Sequence, residues 1–203
     1  RLWQVASVAP RGLGLREVAL PFMEDLYVAT HENVQLAVRD GREAVFVERL
    51  AGRRSVGVLT RVGDRFALHA TGVGLVLLAF APREVQEEYL AGDLAAWTPY
   101  TITDPSTLRR TLADVRRTSV AVSDRQVTED AVSVASAVRG PDGAVVAALS
   151  VVVHHHGSLP SALAPAVVAG ATGISRALGA PRPQPLSGAR RDRNRSSAHR
   201  NGP

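Results

Sequence analysis

A glycine step near the middle of the chain contains the residue types that proteins use to bind anions. Gly72 and Gly74 lie in the stretch HATGVG, and the apolar run 73–81 follows directly. Glycines that open a helix leave backbone N–H groups free at its positive end, which suits a phosphate or a carboxylate. A dinucleotide fingerprint would need a third glycine where Leu77 stands, and a P-loop would need a lysine. Two interpretations remain: a carboxylate site at Gly72 and Val73, or close packing of a helix on a sheet.

Two groups of histidines could carry enzyme chemistry. His154, His155 and His156 are consecutive, and neighbouring residues of a strand point to opposite faces, so only His154 and His156 could share a metal ion. No acidic residue lies nearby in the sequence, which favours a solvated strand end over a metal site. His69 precedes the apolar helix, where it could cap, pack or act in catalysis. A small hydrolase or metal-dependent enzyme that uses His69 or His154 and His156 is one alternative, although no G-x-S-x-G motif is present.

Three serines lie in apolar segments that have the pattern of strands. They are Ser123, Ser133 and Ser150. A buried hydroxyl needs a hydrogen-bond partner, so each is satisfied by the backbone or points into a polar pocket.

The basic charge of the chain is confined to its C-terminal end. The net charge is +5, and residues 180–203 alone hold six arginines and Asp192. This leaves 18 basic and 18 acidic residues in 1–179, so the body is neutral. All the basic residues are arginine. We expect 180–203 to be a disordered, solvated Arg-rich tail, with nonspecific phosphate binding as the alternative.

Length and composition indicate one domain. The 203 residues contain no cysteine, which excludes disulfides and thiolate sites. The longest apolar run is too short to span a membrane, and the N-terminal RLWQVASVAP does not have the pattern of a signal peptide. We therefore expect a cytoplasmic protein with no membrane partner and no cofactor. Because the chain starts at Arg1, we also expect it to be a piece of a longer protein.

Apolar periodicity predicts the elements that position these residues. The strands come in hairpin-linked groups, which indicates an α+β fold with an antiparallel sheet and helices packed on it. A turn at Asp40-Gly41 connects the first two strands. Helices are predicted at about 15–27, 71–80, 83–90, after a cap at Asp104, and at 160–178. Strands are predicted at 34–38, 44–50, 55–63, 120–124, 131–140 and 144–153.

Four blocks in this order resemble the effector-binding domain of IclR-family transcriptional regulators. They are NVQLAVRDGREAVFVERLAG, RVGDRFALHATGVGLVLLAF, TITDPSTLRRTL and VRGPDGAVVAALSV. The resemblance covers about residues 1–179 and implies a fold similar to GAF and PAS domains. It also implies that 1–10 is the end of an interdomain linker helix and that 11–179 is the effector-binding domain.

The resemblance implies the partners and the site. The family places a winged helix-turn-helix before this domain, so DNA would be contacted only through a domain that this chain does not contain. A small organic acid would be the effector, and a homodimer or homotetramer the assembly. The implied effector-binding residues are the backbone donors of the glycine step, polar strand positions and an apolar wall: Gly72, Val73, Ser123, Ser133, Ser150, Val152, Val58 and Phe66.

This sequence departs from the family pattern at several of those positions. An acid is usual where Ser123 stands, a cysteine is common at Ser133, a small hydroxyl is usual at Val152, and a lysine is typical at Leu75. The pocket should be less polar than in sensors of small keto acids. We therefore expect a larger and more apolar carboxylate, aromatic acids included. The remaining alternatives are the small enzyme described above and a stand-alone sensor module that does not bind DNA.

Overall fold

An antiparallel sheet forms the middle layer of the protein, with helices on both faces. The computed structural model describes residues 2–52, 56–156 and 160–181, with side chains from residue 14. In these residues six strands form one sheet in the order β3-β2-β1-β6-β5-β4. The strands are β1 (Asn33–Asp40), β2 (Glu43–Leu50), β3 (Arg65–Ala67), β4 (Val120–Asp124), β5 (Ala131–Arg139) and β6 (Val145–His154).

The helices divide between the two faces of the sheet. In the described residues they are α1 (Leu2–Thr30), α2 (Gly72–Ala79), α3 (Arg83–Leu90), α4 (Pro105–Thr118) and α5 (Pro160–Ala177). Helices α1 and α5 pack on one face, and α2 packs on the other with α3 and α4 outside it. The predicted α+β class, an antiparallel sheet with helices packed on it, is confirmed.

Alternate side chains of each inner strand point to opposite faces of the sheet and so pack against different helices. On the face under α2 the strands present alanines, including Ala37, Ala135 and Ala148. The opposite face presents larger side chains such as Leu36 and Leu149 to α1 and α5. Small residues let the backbone of α2 approach the sheet closely, and every residue of α2 is buried.

Capping chemistry fixes where α4 and α2 begin. The carboxylate of Asp104 accepts a hydrogen bond from Thr107 N at 2.7 Å, and Pro105 takes the first helical position, as the sequence predicts. Bonds from the hydroxyls of Ser106 and Thr107 and from that amide hold the pKa of Asp104 far below its ordinary value. Thr71 caps the amino end of α2, as Asp104 caps α4, because its Oγ1 accepts a hydrogen bond from Gly74 N at 3.0 Å.

The third strand predicted at 55–63 is wrong over 56–63, the part of that range that the structure describes. Residues 56–60 form an irregular segment, and the strand that pairs with β2 is Arg65–Ala67. Side chains, rather than a neighbouring strand, form hydrogen bonds with backbone carbonyl groups of this segment. Asn33 Nδ2 donates to Val56 O at 2.8 Å, and Arg49 Nη1 donates to Thr60 O at 2.9 Å. Alternating valines therefore predicted a ladder where the backbone instead crosses the end of the sheet.

The two ends of the chain were predicted to be a linker helix at 1–10 and a disordered tail at 180–203. Helix α1 is continuous across residue 10, from Leu2 to Thr30. The predicted disordered tail lies, from residue 182 onward, outside the described residues. Within the part of the chain that is described, no helix is long and apolar enough to cross a membrane.

Candidate ligand-binding site

A cavity lies between the sheet and the amino end of α2. Its volume is about 450 Å³, part of which is open to solvent. The sheet forms the floor, and the irregular segment 56–60 and the loop 126–128 form two of the walls. The residues that line the cavity are far apart in the sequence. They are Gln35, Phe46, Val58, Leu59, Thr60, Ala70, Thr71, Gly72, Val73, Ser123, Gln126, Val127, Thr128, Ala131, Ser133 and Val152.

The glycine step packs against the sheet and lines the cavity at the same time. A β-carbon on Gly72 would lie 2.7 Å from Ser133 Oγ, and one on Gly74 would collide with the carbonyl oxygen of Leu68. Close packing is therefore confirmed as a reason for both glycines. The amides of Gly72 and Val73 belong to the first turn of α2, where intrahelical acceptors are missing, and both residues line the cavity.

The three predicted serines differ in what their hydroxyls do. Ser123 and Ser133 face each other across β4 and β5, and both line the cavity. Ser123 Oγ donates to Ala70 O at 2.9 Å, so its hydroxyl braces the turn before α2. Ser133 Oγ lies beneath Gly72. Ser150 is fully buried on the same face of β6 as Val152 but is not among the residues that line the cavity, and its hydroxyl has no hydrogen-bond partner among the described residues.

The apolar wall of the cavity includes Val58, as expected from the sequence, but not Phe66. Val58 and Val152 line the cavity and pack together. Phe66 does not line it: its ring packs edge-on against Phe46, with centroids 6.0 Å apart, and against Trp97 at 5.1 Å. Phe46 takes the place expected for Phe66 because β2, and not the short β3, reaches the cavity floor.

Sequence reasoning missed the amide side chains in the lining. Gln35 on β1 is only 3% exposed, and Gln126 lies on the loop between β4 and β5. Gln126 Oε1 accepts a bond from Ile102 N at 3.2 Å, which anchors that loop. The alternation of β1 contained the signal, because it puts Gln35 on the same face as Ala37, towards α2.

Among the described residues that line the cavity, none has an ionisable side chain. The negative end of a bound ligand would therefore meet backbone N–H groups and hydroxyls rather than a lysine or arginine. These neutral donors stabilise a carboxylate through the helix dipole and hydrogen bonds. They would not stabilise a bound cation in the same way, since no carboxylate belongs to the described residues of the lining.

His69 is accounted for by structure. It is 1% exposed and does not line the cavity. Its Nε2 donates to Ala95 O at 3.1 Å, and its Nδ1 accepts from the Tyr89 hydroxyl at 2.8 Å. Because a carbonyl can only accept, the proton is on Nε2. Burial lowers the pKa of His69, against the opposing effect of the Ala95 carbonyl. The neutral ring fastens α3 and the following loop to the base of α2.

The histidine run lies at an exposed strand end. His154 Nδ1 lies 2.8 Å from Asp130 Oδ2, a carboxylate that the local sequence did not suggest, and the rings of His155 and His156 are in edge contact. Searching the described residues gives no group of three His, Cys, Asp or Glu side chains that could hold a metal ion.

Comparison with known proteins identifies the family. The sequence profile described as "Bacterial transcriptional regulator IclR C-terminal" matches residues 9–176. The regulator KipR of Bacillus subtilis is 40% identical over 97 residues, which are 47% of this chain and 39% of KipR. The repressor AllR of Escherichia coli K12 is 35% identical over 135 residues, 66% of this chain and 50% of AllR. The chain thus matches half or less of these relatives' length.

Solved structures agree with this assignment. An IclR homolog from Microbacterium hydrocarbonoxydans, crystallised with 4-hydroxybenzoate, has a TM-score of 0.81 at 38% identity, covering 88% of this chain and 73% of that one. The Thermotoga maritima IclR has a TM-score of 0.80 at 28% identity, covering 88% and 74%. The matched family is regulatory, and the relatives are named transcriptional regulators, so the prediction that the chain is not an enzyme is confirmed. The chain belongs to the IclR family of bacterial transcriptional regulators, of which it contains the C-terminal, effector-binding domain.

Proposed function

We propose that the cavity binds a small organic acid with an apolar, aromatic body, and that this binding modulates how a longer regulator binds its operator. One observation carries the proposal. The cavity has neutral anion donors at the amino end of α2, with Ser133 beneath them, and apolar side chains such as Val58 and Val152 along its wall. The carboxylate would lie at Gly72 and Val73 and the ring against the valines.

A related protein supports the aromatic character of the ligand. The IclR homolog from Microbacterium hydrocarbonoxydans, 38% identical to this chain, was crystallised with 4-hydroxybenzoate. In this chain the described lining residues carry no charge and include Phe46, on which a ring could stack.

Ligand binding would act on DNA through the assembly. We infer a homodimer or homotetramer in which the effector binds one arrangement of the subunits more tightly than another. An effector shifts such an equilibrium only by its difference in affinity for the two arrangements. DNA would be contacted by a winged helix-turn-helix outside this chain, and the operator affinity would report the arrangement.

Calorimetry on this chain tests the ligand class. Benzoate and phenylacetate should bind, and glyoxylate and pyruvate should bind at least tenfold more weakly. A preference for the two small keto acids would contradict the proposal. A mobility-shift assay of the complete gene product with its own upstream region, with and without benzoate, tests the coupling. Binding of benzoate with no change in operator affinity would favour the stand-alone sensor instead.

A further inference from the structure

Gln35 and the amino end of α2 lie at opposite sides of the cavity floor. Ser133 on β5 is directly beneath Gly72, and Gln35 is on β1, with β6 between the two strands. Two inter-strand spacings put about 10 Å between the backbones of β5 and β1. Side chains from both strands project into this space. A ligand that contacts both ends is therefore small, about one ring with a polar group at each end.

The amide of Gln35 is satisfied at one end only. Its Nε2 donates to Thr60 Oγ1 at 2.5 Å, and its carboxamide oxygen has no donor among the described residues although the side chain is 3% exposed. Turning the amide over would exchange the two atoms and still leave one of them without a protein partner. Either orientation presents an unpaired neutral polar atom to the cavity, which Gln35 lines.

A second unpaired group lies beside it. Ser150 on β6 is directly opposite Gln35 on β1, and the Ser150 hydroxyl is buried without a partner among the described residues. An unpaired buried hydroxyl is costly and calls for a ligand or a functional reason. The described groups that face the cavity at this end are therefore polar and neutral. Arg49 pairs with Gln35 from β2, but its guanidinium is bonded to Asn33 Oδ1 and Thr60 O and does not line the cavity, so a hydroxyl suits this end.

We propose that Gln35 recognises a hydroxyl group on the effector, at the end opposite its carboxylate. This inference rests on the proposed function, since it assumes that the carboxylate lies at Gly72 and Val73. It makes Gln35 a specificity-determining residue. A ligand with an apolar group in place of the hydroxyl leaves the amide atom unpaired, and the difference in affinity reports that loss.

The alternative role for Gln35 is purely structural. The contact with Thr60 ties the irregular segment 56–60 to β1, together with the bond from Asn33 to Val56 O. If that were its only role, losing Gln35 would weaken all ligands alike. The ratio of affinities for two ligands of equal size separates the roles, because a loosened wall changes both affinities together.

The test compares 4-hydroxybenzoate with 4-methylbenzoate by calorimetry on the whole chain. These acids have the same size and differ in whether the group opposite the carboxylate can form a hydrogen bond. The unsubstituted protein should prefer the hydroxyl by about tenfold. Gln35→Met should reduce that preference to about onefold and leave the affinity for 4-methylbenzoate nearly unchanged. The matched control Thr60→Val, which removes the hydroxyl but keeps Gln35, should retain the preference.

Each outcome decides a different claim. Equal affinities of the unsubstituted protein for both acids would overturn the role of Gln35 and leave the proposed function standing. A preference that survives in Gln35→Met, or that is lost equally in Thr60→Val, would also overturn it. If neither acid nor benzoate binds, the proposed function itself fails and the inference fails with it. The comparison on the unsubstituted protein does not depend on any variant folding.

Discussion

The Oγ of Ser133 lies 2.7 Å from the position that a β-carbon on Gly72 would take. The helix that supplies the candidate anion donors is therefore in contact with the strand that supplies the candidate hydroxyl. Their distance is set by the absence of a side chain at residue 72. The same contact determines stability and places the binding groups.

Replacing either glycine of the step should destabilise the domain, to different extents. Gly72→Ala meets a serine side chain and should lower the free energy of unfolding by about 1–3 kcal/mol. Gly74→Ala meets the Leu68 backbone, which cannot rotate away, and should cost about 3 kcal/mol or more. Urea denaturation measures both. Combining Gly72→Ala with Ser133→Ala should recover about 1 kcal/mol, and strict additivity of the two changes would contradict the contact.

The paired serines of β4 and β5 should separate binding from stability. Ser133→Ala should weaken benzoate about tenfold, since it removes a hydroxyl beneath the carboxylate, and should barely change the unfolding midpoint. Ser123→Ala removes the bond to Ala70 O and should lower stability by about 1 kcal/mol. Calorimetry and denaturation on both variants check this. The reverse pattern would show that the carboxylate lies at Ser123.

Removing the hydroxyl of Ser150 should stabilise the unliganded domain. The hydroxyl is enclosed with no partner among the described residues, and an unsatisfied buried group costs about 1–3 kcal/mol. Ser150→Ala should therefore raise the free energy of unfolding by about 1 kcal/mol. Thermal and urea denaturation without ligand measure it. A drop in stability would mean that the hydroxyl is already hydrogen-bonded. Ser136→Ala is the control, because Ser136 Oγ donates to Ser119 O at 2.9 Å and its loss should destabilise.

Acid should destabilise the domain through His69. Burial lowers the pKa of His69 in the folded protein, whereas the unfolded chain takes up the proton near the ordinary value of about 6.5. The unfolded state then binds more protons, so stability is present above about pH 6.5 and is lost as the pH falls below it. The slope for one proton is at most about 1.4 kcal/mol per pH unit.

Denaturation at several pH values between 8 and 5 measures this contribution. His69→Gln should be less stable at pH 8 but should lose less on acidification. His156→Gln, a change at an exposed residue, should follow the unsubstituted protein. If His69→Gln shows the same pH dependence as the unsubstituted protein, the titrating group is elsewhere.

The sequence was sufficient where local chemistry decides structure. The Asp40-Gly41 turn, with Gly41 at φ 59°, and the cap at Asp104 before Pro105 act within a few residues. A few consecutive residues therefore contain all the information needed to predict these two features. The two-sided burial of β6 follows from its apolar pattern in the same way.

The sequence failed where residues distant along the chain satisfy each other. Alternation at 56–60 looks like a strand, and only the bond from Asn33, 23 residues earlier, shows why no ladder is needed. Periodicity also predicts which face of the sheet a side chain is on, but not whether that side chain reaches the cavity. Phe66 was therefore expected in the cavity wall, where Phe46 lies instead. Gln35 was missed because a polar residue on a buried face has meaning only once its neighbours are known.

The irregular segment 56–60 gives the cavity wall an evolutionary freedom that the rest of the domain does not have. Side chains, not a strand ladder, hold it in place, through Val56 O, Thr60 O and Thr60 Oγ1. Insertions in such a segment are inexpensive, since doubling the length of a flexible loop costs only about 0.6 kcal/mol. New ligand preferences can therefore arise there by changes in length and composition, while the two hydrophobic cores stay as they are.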